Sequence, residues 1–232
     1  MTEKWKPALW AEDLILLRAK KMKTVIINGS PRKNFNTAKI LKSAMKGAES
    51  IGDEVLYIDL YDLSFTGCRS CLACKRVGID NPCKCYCKDD LSPVLEKILE
   101  ADRLIMGSPI YFGQPTAELR ALLERLVFPA LSYKTLSSLY DGKLDIDVIL
   151  TMNAGEDYYN KSYDSSMKEY FGPFGLLNGA INIYPVCDTL QVNDYSKYEM
   201  NLDWGEHKKK VNEALFPKEL EKAFNIGAKK DM

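Results

Sequence analysis

Apolar and polar residues follow one another along this chain in blocks that predict strands followed by helices. Five short apolar runs are typical of buried strands, since they are rich in β-branched and aliphatic residues and end in polar or glycine-containing turns. The predicted strands are 23–28, 54–59, 103–108, 145–152 and 180–186. Between them, apolar residues recur at helical spacing. The predicted helices are 37–45, 89–101, 116–128, 163–177 and 206–228.

The alternation of strands and helices indicates a parallel sheet with helices on both faces. The connection between the second and third predicted strands is unusually long, and long connections in compact domains are usually functional. It contains a cysteine-rich insertion at about 66–89. The sequence therefore predicts one α/β domain at 23–232, preceded by an extension at 1–22. Trp5 and Trp10 in that extension are expected to pack against other parts of the protein, another subunit being one option.

The charge balance narrows the classes of function. Lysine plus arginine and aspartate plus glutamate each number 32, so the 232-residue chain has no overall positive field for nucleic acid or an anionic membrane. No apolar run approaches the ~20 residues that span a bilayer. The N-terminus also lacks the apolar core of a signal peptide, so we expect a cytoplasmic protein. The single histidine, His207, excludes sites built from several imidazoles, and we expect it and the lysines at 208–210 to lie on a solvated helix face.

A polar loop lies between the first predicted strand and the helix after it. Its Gly-Ser-Pro-Arg sequence at 29–32 stands where a helix N-terminus offers free N–H groups and a partial positive charge to an anion. The loop has neither the GxGxxG pattern of dinucleotide sites nor the GKS or GKT of P-loops, so it suits a single phosphate. An ordinary polar turn is the alternative. The candidate donors are Ser30, Arg32, Asn34, Asn36 and Thr37.

A second loop, at 108–115, follows the third predicted strand. Ligands of open α/β sheets bind at the carboxyl ends of strands, so this loop and the first are expected to meet there. Tyr111 and Phe112 offer aromatic faces, and Gly113 lets the backbone approach the edge of a ring. This composition suits a flat aromatic ligand. The alternative is that the aromatic rings only cover the end of the sheet.

Taken together, these motifs resemble a known family. The segments that carry the resemblance are Asn28-Gly-Ser-Pro-Arg32 with Asn36-Thr37, Asp89-Asp90, Ala101-Asp102, Gly107-Ser-Pro-Ile-Tyr-Phe-Gly113, Ala117-Glu-Leu-Arg120 and Glu124-Arg125. They are similar to the NAD(P)H-dependent FMN reductases of the flavodoxin-like superfamily, and most of all to its iron–sulfur flavoprotein branch. The similarity runs from Lys23 to the C-terminus and is strongest at 23–125.

The resemblance implies an α/β flavodoxin-like three-layer sandwich with a five-stranded parallel sheet in the order 2-1-3-4-5. It also implies noncovalent FMN, NAD(P)H as co-substrate, and a homodimer or homotetramer. The residues implied to hold the FMN phosphate are Ser30, Arg32, Asn36 and Thr37, with Pro31 shaping the turn. Those implied to border the isoalloxazine are Pro109, Ile110, Tyr111, Phe112 and Gly113. A third loop, after the fourth strand, supplies the candidates Thr151, Asn153, Ala154 and Gly155.

Six of the seven cysteines lie between Cys68 and Cys87, a spacing that indicates metal or redox chemistry in a reducing compartment. Cys68, Cys71 and Cys74 are separated by two residues each and are able to converge on an iron–sulfur cluster. The candidates for a fourth ligand, of which the first is favoured, are Cys85, Cys83 and Cys87. Structural zinc and free thiols are the alternatives. The seventh cysteine, Cys187, is expected in the core.

The sequence thus predicts an FMN-dependent oxidoreductase that passes electrons between NAD(P)H or a redox carrier and a small-molecule or protein acceptor. A [4Fe-4S] cluster at Cys68, Cys71, Cys74 and Cys85 is one route for those electrons. Because the cofactor performs the chemistry, no protein nucleophile or essential acid–base pair is expected. The alternatives are a cluster-free NAD(P)H-dependent FMN or quinone reductase, an electron carrier without turnover, and a zinc-stabilised binding module.

Overall fold

A computed structural model describes residues 21–79 and 83–229. Within this part of the chain, five parallel strands form one sheet in the order β2-β1-β3-β4-β5. The strands are β1 (Lys23–Asn28), β2 (Glu54–Asp59), β3 (Arg103–Pro109), β4 (Leu144–Thr151) and β5 (Asn178–Val186). This order and the five predicted strands are confirmed. Residues 1–20, which include Trp5 and Trp10, lie outside the described residues, so their packing stays a prediction.

Six α-helices connect or flank the strands in the described residues. They are α1 (Asn36–Ser50), α2 (Leu91–Leu99), α3 (Ala117–Ala130), α4 (Glu156–Ser162), α5 (Asp164–Phe171) and α6 (Leu202–Gly227). The sequence pattern did not predict α4. It also extended α5 too far, because Gly172 and Pro173 begin a 3₁₀ turn that runs to Leu177. The last helix begins a turn earlier than predicted, since the Asn201 side chain accepts a hydrogen bond from the Trp204 N–H at 2.8 Å.

Alternate residues of each central strand enter two separate hydrophobic cores. Val25 and Ile27 of β1 pack with residues of α2, α3 and α5 on one face. Ile26, between them, packs with residues of α1 and α6 on the other face. A Cβ atom on Gly227 would lie 1.9 Å from the Ala44 carbonyl oxygen, so α1 and α6 touch at their backbones. None of the described helices is long and apolar enough to cross a membrane.

A buried ion pair joins the sheet to the end of α6. The Arg103 guanidinium donates to Asp147 Oδ2 at 2.8 Å from Nε and 2.5 Å from Nη2. It also donates to the carbonyl oxygens of Ile226 and Gly227, at 2.6 and 2.9 Å. The last carbonyls of a helix have no partner within the helix, so Arg103 satisfies two of them and neutralises the negative end of the dipole.

Replacing Asp147 with asparagine should therefore lower the free energy of unfolding by about 3–5 kcal/mol, because it leaves the Arg103 charge buried without its counter-ion. Urea unfolding followed by circular dichroism measures this loss. Asp145→Asn is the matched control, since Asp145 lies on the same strand in a more exposed pair with Lys143 and should cost less than about 1 kcal/mol. Equal losses in the two variants would contradict the role of the pair.

Candidate functional site

A cavity of about 270 Å³ lies at the carboxyl ends of the strands, where ligands of open α/β sheets bind. Parts of all three predicted loops line it, together with a fourth loop that follows β5. The lining residues are Ser30, Arg32, Phe35, Asn36, Thr37, Pro109, Ile110, Tyr111, Thr151, Met152, Asn153, Thr189, Leu190, Gln191 and Met200. Nine of these were candidates from the sequence, so the fold brings most of the candidate set together.

The loop after β1 has its shape fixed by short-range contacts. The Asn28 side chain accepts a hydrogen bond from the Ser30 N–H at 3.1 Å and donates to Asp59 at 2.7 Å. The Ser30 hydroxyl oxygen accepts from the Arg32 N–H at 3.2 Å. A Cβ atom on Gly29 would lie only 3.0 Å from the Gly107 carbonyl oxygen, so the loop packs directly on β3. These contacts hold the loop in place against the start of α1.

Three side-chain donors from this loop and the start of α1 line the cavity. Arg32 Nη1 donates to the Gln191 carbonyl oxygen at 2.5 Å, and Asn36 Nδ2 donates to the Leu190 carbonyl oxygen at 2.7 Å. The Thr37 hydroxyl lies 2.7 Å from the Thr151 hydroxyl. A cation, an amide and a hydroxyl thus cluster at a helix N-terminus, an arrangement that suits an anion.

The loop after β3 turns sharply at its tip. Tyr111 and Gln114 exchange two backbone hydrogen bonds, at 2.8 and 3.0 Å. Phe112 and Gly113 form the turn with φ angles of +49° and +78°. Such a φ is unusual for a bulky residue such as Phe112, whose side chain is fully exposed to solvent. Pro109, Ile110 and Tyr111 line the cavity, whereas Phe112 and Gly113 are not among its lining residues.

The loop after β4 contributes only in part. Thr151 and Asn153 line the cavity, and Asn153 Nδ2 donates to the Thr189 carbonyl oxygen at 2.9 Å. Gly155 instead stands immediately before α4, and Ala154 is also absent from the cavity lining. Pro31 is exposed on the first loop. The structure thus separates these last three candidates from the residues that line the cavity.

Sequence reasoning missed two features of this site. The loop 189–191 after β5 carried no signal, because its Thr-Leu-Gln sequence matches no binding motif. Lys208 was expected on a solvated helix face, and that expectation is wrong. Its side chain is buried, donates to the Asn153 carbonyl oxygen at 2.8 Å and pairs with Asp188. His207 is exposed, as predicted. Gly205 lies three residues before Lys208 and is also buried, so the two residues share one face of the helix. A glycine at this spacing was the one feature of the sequence that could have indicated a buried Lys208.

A second cavity, of about 250 Å³, lies beside α3 and is surrounded by thiols. Five of the six clustered cysteines line it, namely Cys68, Cys71, Cys74, Cys85 and Cys87. Cys83 lines a separate cavity of about 440 Å³ with Tyr140 and Asp141, which Cys85 also borders. All these thiols are free of disulfides. Among the described residues, no group of three or more histidine, cysteine or acidic side chains is placed to hold a single metal ion.

Helix α3 contacts the described residues of the cysteine-rich insertion at about 66–89, which is called the cysteine segment from here on. Lys75 Nζ donates to the carbonyl oxygens of Phe128 and Pro129, at 2.6 and 3.2 Å, and to that of Leu131. These carbonyls belong to the helix end, where backbone acceptors lack helical partners. Glu124 Oε2 accepts from the Cys68 N–H at 3.2 Å. The segment is therefore anchored next to its first and third cysteines.

The thiols differ in accessibility and acidity. Cys68 and Cys71 are exposed, whereas Cys74 and Cys83 are buried. Burial raises the pKa of the Cys74 thiol, although the charge of Lys75 opposes the shift. Burial, and then the charge of Asp141, raise the pKa of Cys83. Burial also raises the pKa of Cys187 to about 12. A thiolate is the reactive form, so the buried thiols should react slowly.

In metal-free, reduced protein at pH 8, iodoacetamide should therefore label Cys68 and Cys71 before Cys74, Cys83 and Cys187, by roughly tenfold or more in rate, since reactivity follows thiolate fraction and access. Peptide mapping by mass spectrometry over time measures each rate. Protein unfolded in urea is the control, in which all five thiols should react at similar rates. Equal rates in the folded protein would show that this segment is not held as described.

The class of protein follows from this geometry. A five-stranded parallel sheet in the order 2-1-3-4-5, with an anion-type loop after β1 and an aromatic loop after β3, defines a flavodoxin-like α/β protein. The model of the NADPH-dependent FMN reductase family matches residues 22–144, more than half of the chain. The chain belongs to that family.

The chain is also similar to curated iron-sulfur flavoproteins. One from Methanocaldococcus jannaschii is 38% identical over 104 residues, which cover 45% of this chain and 51% of that protein. One from Archaeoglobus fulgidus is 38% identical over 104 residues, which cover 45% of this chain and 48% of that protein. The chain thus spans about half the length of the curated relatives it matches.

Two solved structures have the same fold. The NAD(P)H:quinone oxidoreductase from Methanothermobacter marburgensis has a TM-score of 0.66 and 17% identity, and the match covers 90% of this chain and 98% of that one. The azoreductase from Bacillus anthracis str. Sterne has a TM-score of 0.59 and 15% identity, and the match covers 90% and 99%. These likenesses confirm the flavodoxin-like sandwich.

Proposed function

We propose that the protein is an FMN-dependent oxidoreductase that takes electrons from NAD(P)H or a redox carrier and passes them to an acceptor. The observation that carries the proposal is the cavity at the carboxyl ends of the strands. Its lining combines the cation and hydroxyl donors of the first loop with the aromatic second loop. Membership of the NADPH-dependent FMN reductase family supports the same conclusion.

The donor set fits the phosphate end of FMN. Arg32 supplies a positive charge and Asn36 an amide donor, while Ser30 in the loop and Thr37 at the start of α1 supply hydroxyls. Pro109, Ile110 and Tyr111 would border the flat ring system, for which an aromatic side chain is a suitable neighbour. When bound, the flavin would supply hydride and electron transfer, while these residues bind and orient it.

Arg32→Ala should weaken FMN binding about 10- to 100-fold, since it removes a charge-assisted hydrogen bond to the phosphate. Quenching of FMN fluorescence on titration into flavin-free protein measures the dissociation constant. Lys33→Ala is the matched control, because Lys33 is adjacent and cationic but pairs with Asp62. Unchanged affinity for FMN in Arg32→Ala would contradict the assignment of this loop to the phosphate.

We also propose that the thiol-lined cavity holds a [4Fe-4S] cluster through Cys68, Cys71, Cys74 and Cys85. In such a cluster each thiolate binds a different iron, so the four ligands surround a space instead of meeting at one point. Five cysteines border a single cavity in this way, which is the observation that favours the cluster. The similarity of the chain to curated iron-sulfur flavoproteins supports it further.

The choice of the fourth ligand rests on two contacts. Cys83, the first candidate after Cys74 in the sequence, lines the separate cavity of about 440 Å³. The Cys87 thiol lies 3.8 Å from Asp89 Oδ2 and has that carboxylate as its hydrogen-bond acceptor. Cys85 is the remaining candidate on the thiol-lined cavity, and its sulfur accepts a hydrogen bond from Arg125. A cationic donor suits a thiolate ligand.

Anaerobically purified protein should then contain about four irons and four sulfides per chain, as a Cys₄-bound cubane requires. Cys85→Ser should lose most of this iron, whereas Cys83→Ser should keep it, because only the former lies on the cavity with the other ligands. Iron and sulfide assays and the visible spectrum measure both. Bound zinc without sulfide would establish the zinc alternative, and iron lost from Cys83→Ser alone would reverse the ligand assignment.

A further inference from the structure

Arg125 of α3 connects both ends of the cysteine segment. Its side chain is buried, and Nη1 donates to the Thr66 carbonyl oxygen at 3.0 Å, just before Cys68. Both terminal nitrogens donate to the Asp89 carboxylate, at 2.6 and 3.0 Å. The Nε–H donates to the Cys85 sulfur at 3.1 Å. One guanidinium thus fixes the two ends of the segment and touches a thiol directly.

The hydrogen bond to the Cys85 sulfur comes from a different guanidinium nitrogen than the bonds to the Asp89 carboxylate. Asp89 already neutralises the charge of Arg125, and the guanidinium donates to this carboxylate from its two terminal nitrogens. The third nitrogen is aimed at Cys85, in a cavity whose other walls include the apolar Leu72, Phe128 and Pro129. In such surroundings, a charge-assisted hydrogen bond to sulfur is stronger than it is in water.

We propose that Arg125 is a positioning residue that holds the Cys85 thiolate toward the cavity and makes the bound cluster easier to reduce. This inference rests on the proposed cluster. A bound cluster would take up one electron on reduction and release it on reoxidation, and no covalent bond would be formed or broken. The reduced form carries one more negative charge, so an N–H···S hydrogen bond from a cation favours it over the oxidised form.

The test compares Arg125→Lys with wild-type protein containing its cluster and FMN. Lysine keeps the charge but loses the fixed fork that reaches sulfur, carboxylate and carbonyl together. At a fixed potential, the ratio of reduced to oxidised cluster should fall about tenfold, which is a drop of about 59 mV for a one-electron couple. Potentiometric titration followed by electron paramagnetic resonance measures it. Arg120→Lys is the matched control, because Arg120 lies on the same helix and pairs with Glu124.

The outcomes separate this inference from the proposed function. Wild-type protein without iron and sulfide would overturn the cluster, and the role of Arg125 with it. A wild-type cluster whose potential is unchanged in Arg125→Lys would overturn the role of Arg125 alone. An equal drop in Arg120→Lys would do the same, since it would reflect a general effect of altering α3.

A second measurement covers the case in which Arg125→Lys does not retain its cluster. Arg69 and Arg125 are the two arginines that line the cavity. Protein that carries Arg69→Lys and contains its cluster is therefore labelled with ¹⁵N in arginine alone, which leaves Arg125 as the labelled lining residue. Pulsed electron paramagnetic resonance of the reduced cluster should then detect hyperfine coupling to ¹⁵N. Its absence would overturn the inference without any substitution at Arg125.

Discussion

Helix α3 is the constraint on which both cavities depend. At its start, the Thr116 hydroxyl donates to the Gly29 carbonyl oxygen at 2.7 Å, and the Thr116 N–H donates to the Ser108 hydroxyl oxygen at 3.0 Å. These bonds join the helix to the loops after β1 and β3. Further along, Glu124 and Arg125 hold the cysteine segment. One helix therefore sets the positions of the loops after β1 and β3 and of the thiol-lined cavity.

Three buried cations among the described residues join segments that are distant in the sequence. Arg103 connects the sheet to the end of α6, Arg125 connects the two ends of the cysteine segment, and Lys208 connects the loops after β4 and β5. In each case the cation donates to at least one backbone carbonyl oxygen in addition to one carboxylate. Removing a carboxylate from such a pair leaves a desolvated charge, so these residues fix the loops more strongly than exposed pairs would.

The sequence specified the sheet more completely than the sites. The three central strands are short, mostly buried runs that a local pattern reveals, and the order of the five strands followed from the resemblance. The cavity that each cysteine lines could not be predicted, because it depends on contacts with residues distant in sequence. Cys85 lies on the thiol-lined cavity beside Arg125, whereas Cys83 lines the cavity of about 440 Å³. The burial of Lys208 likewise depends on Asp188, which is distant in sequence and stands at a φ of +54°. The surroundings of such residues are decided by contacts with residues distant in the sequence, and not by secondary-structure propensity.

The loop at 189–191 has a consequence for how tightly an anion is held. Its carbonyl oxygens accept hydrogen bonds from Arg32 and Asn36, so these donors are already paired within the folded chain. If the proposed site holds a phosphate, Arg32 Nη1 and Asn36 Nδ2 would exchange one acceptor for another, and their net gain would be the difference between a neutral carbonyl and a charged oxygen. The affinity of the proposed site for an anion would then depend on competition with the chain's own carbonyl oxygens, and lengthening or stiffening this loop would change that affinity.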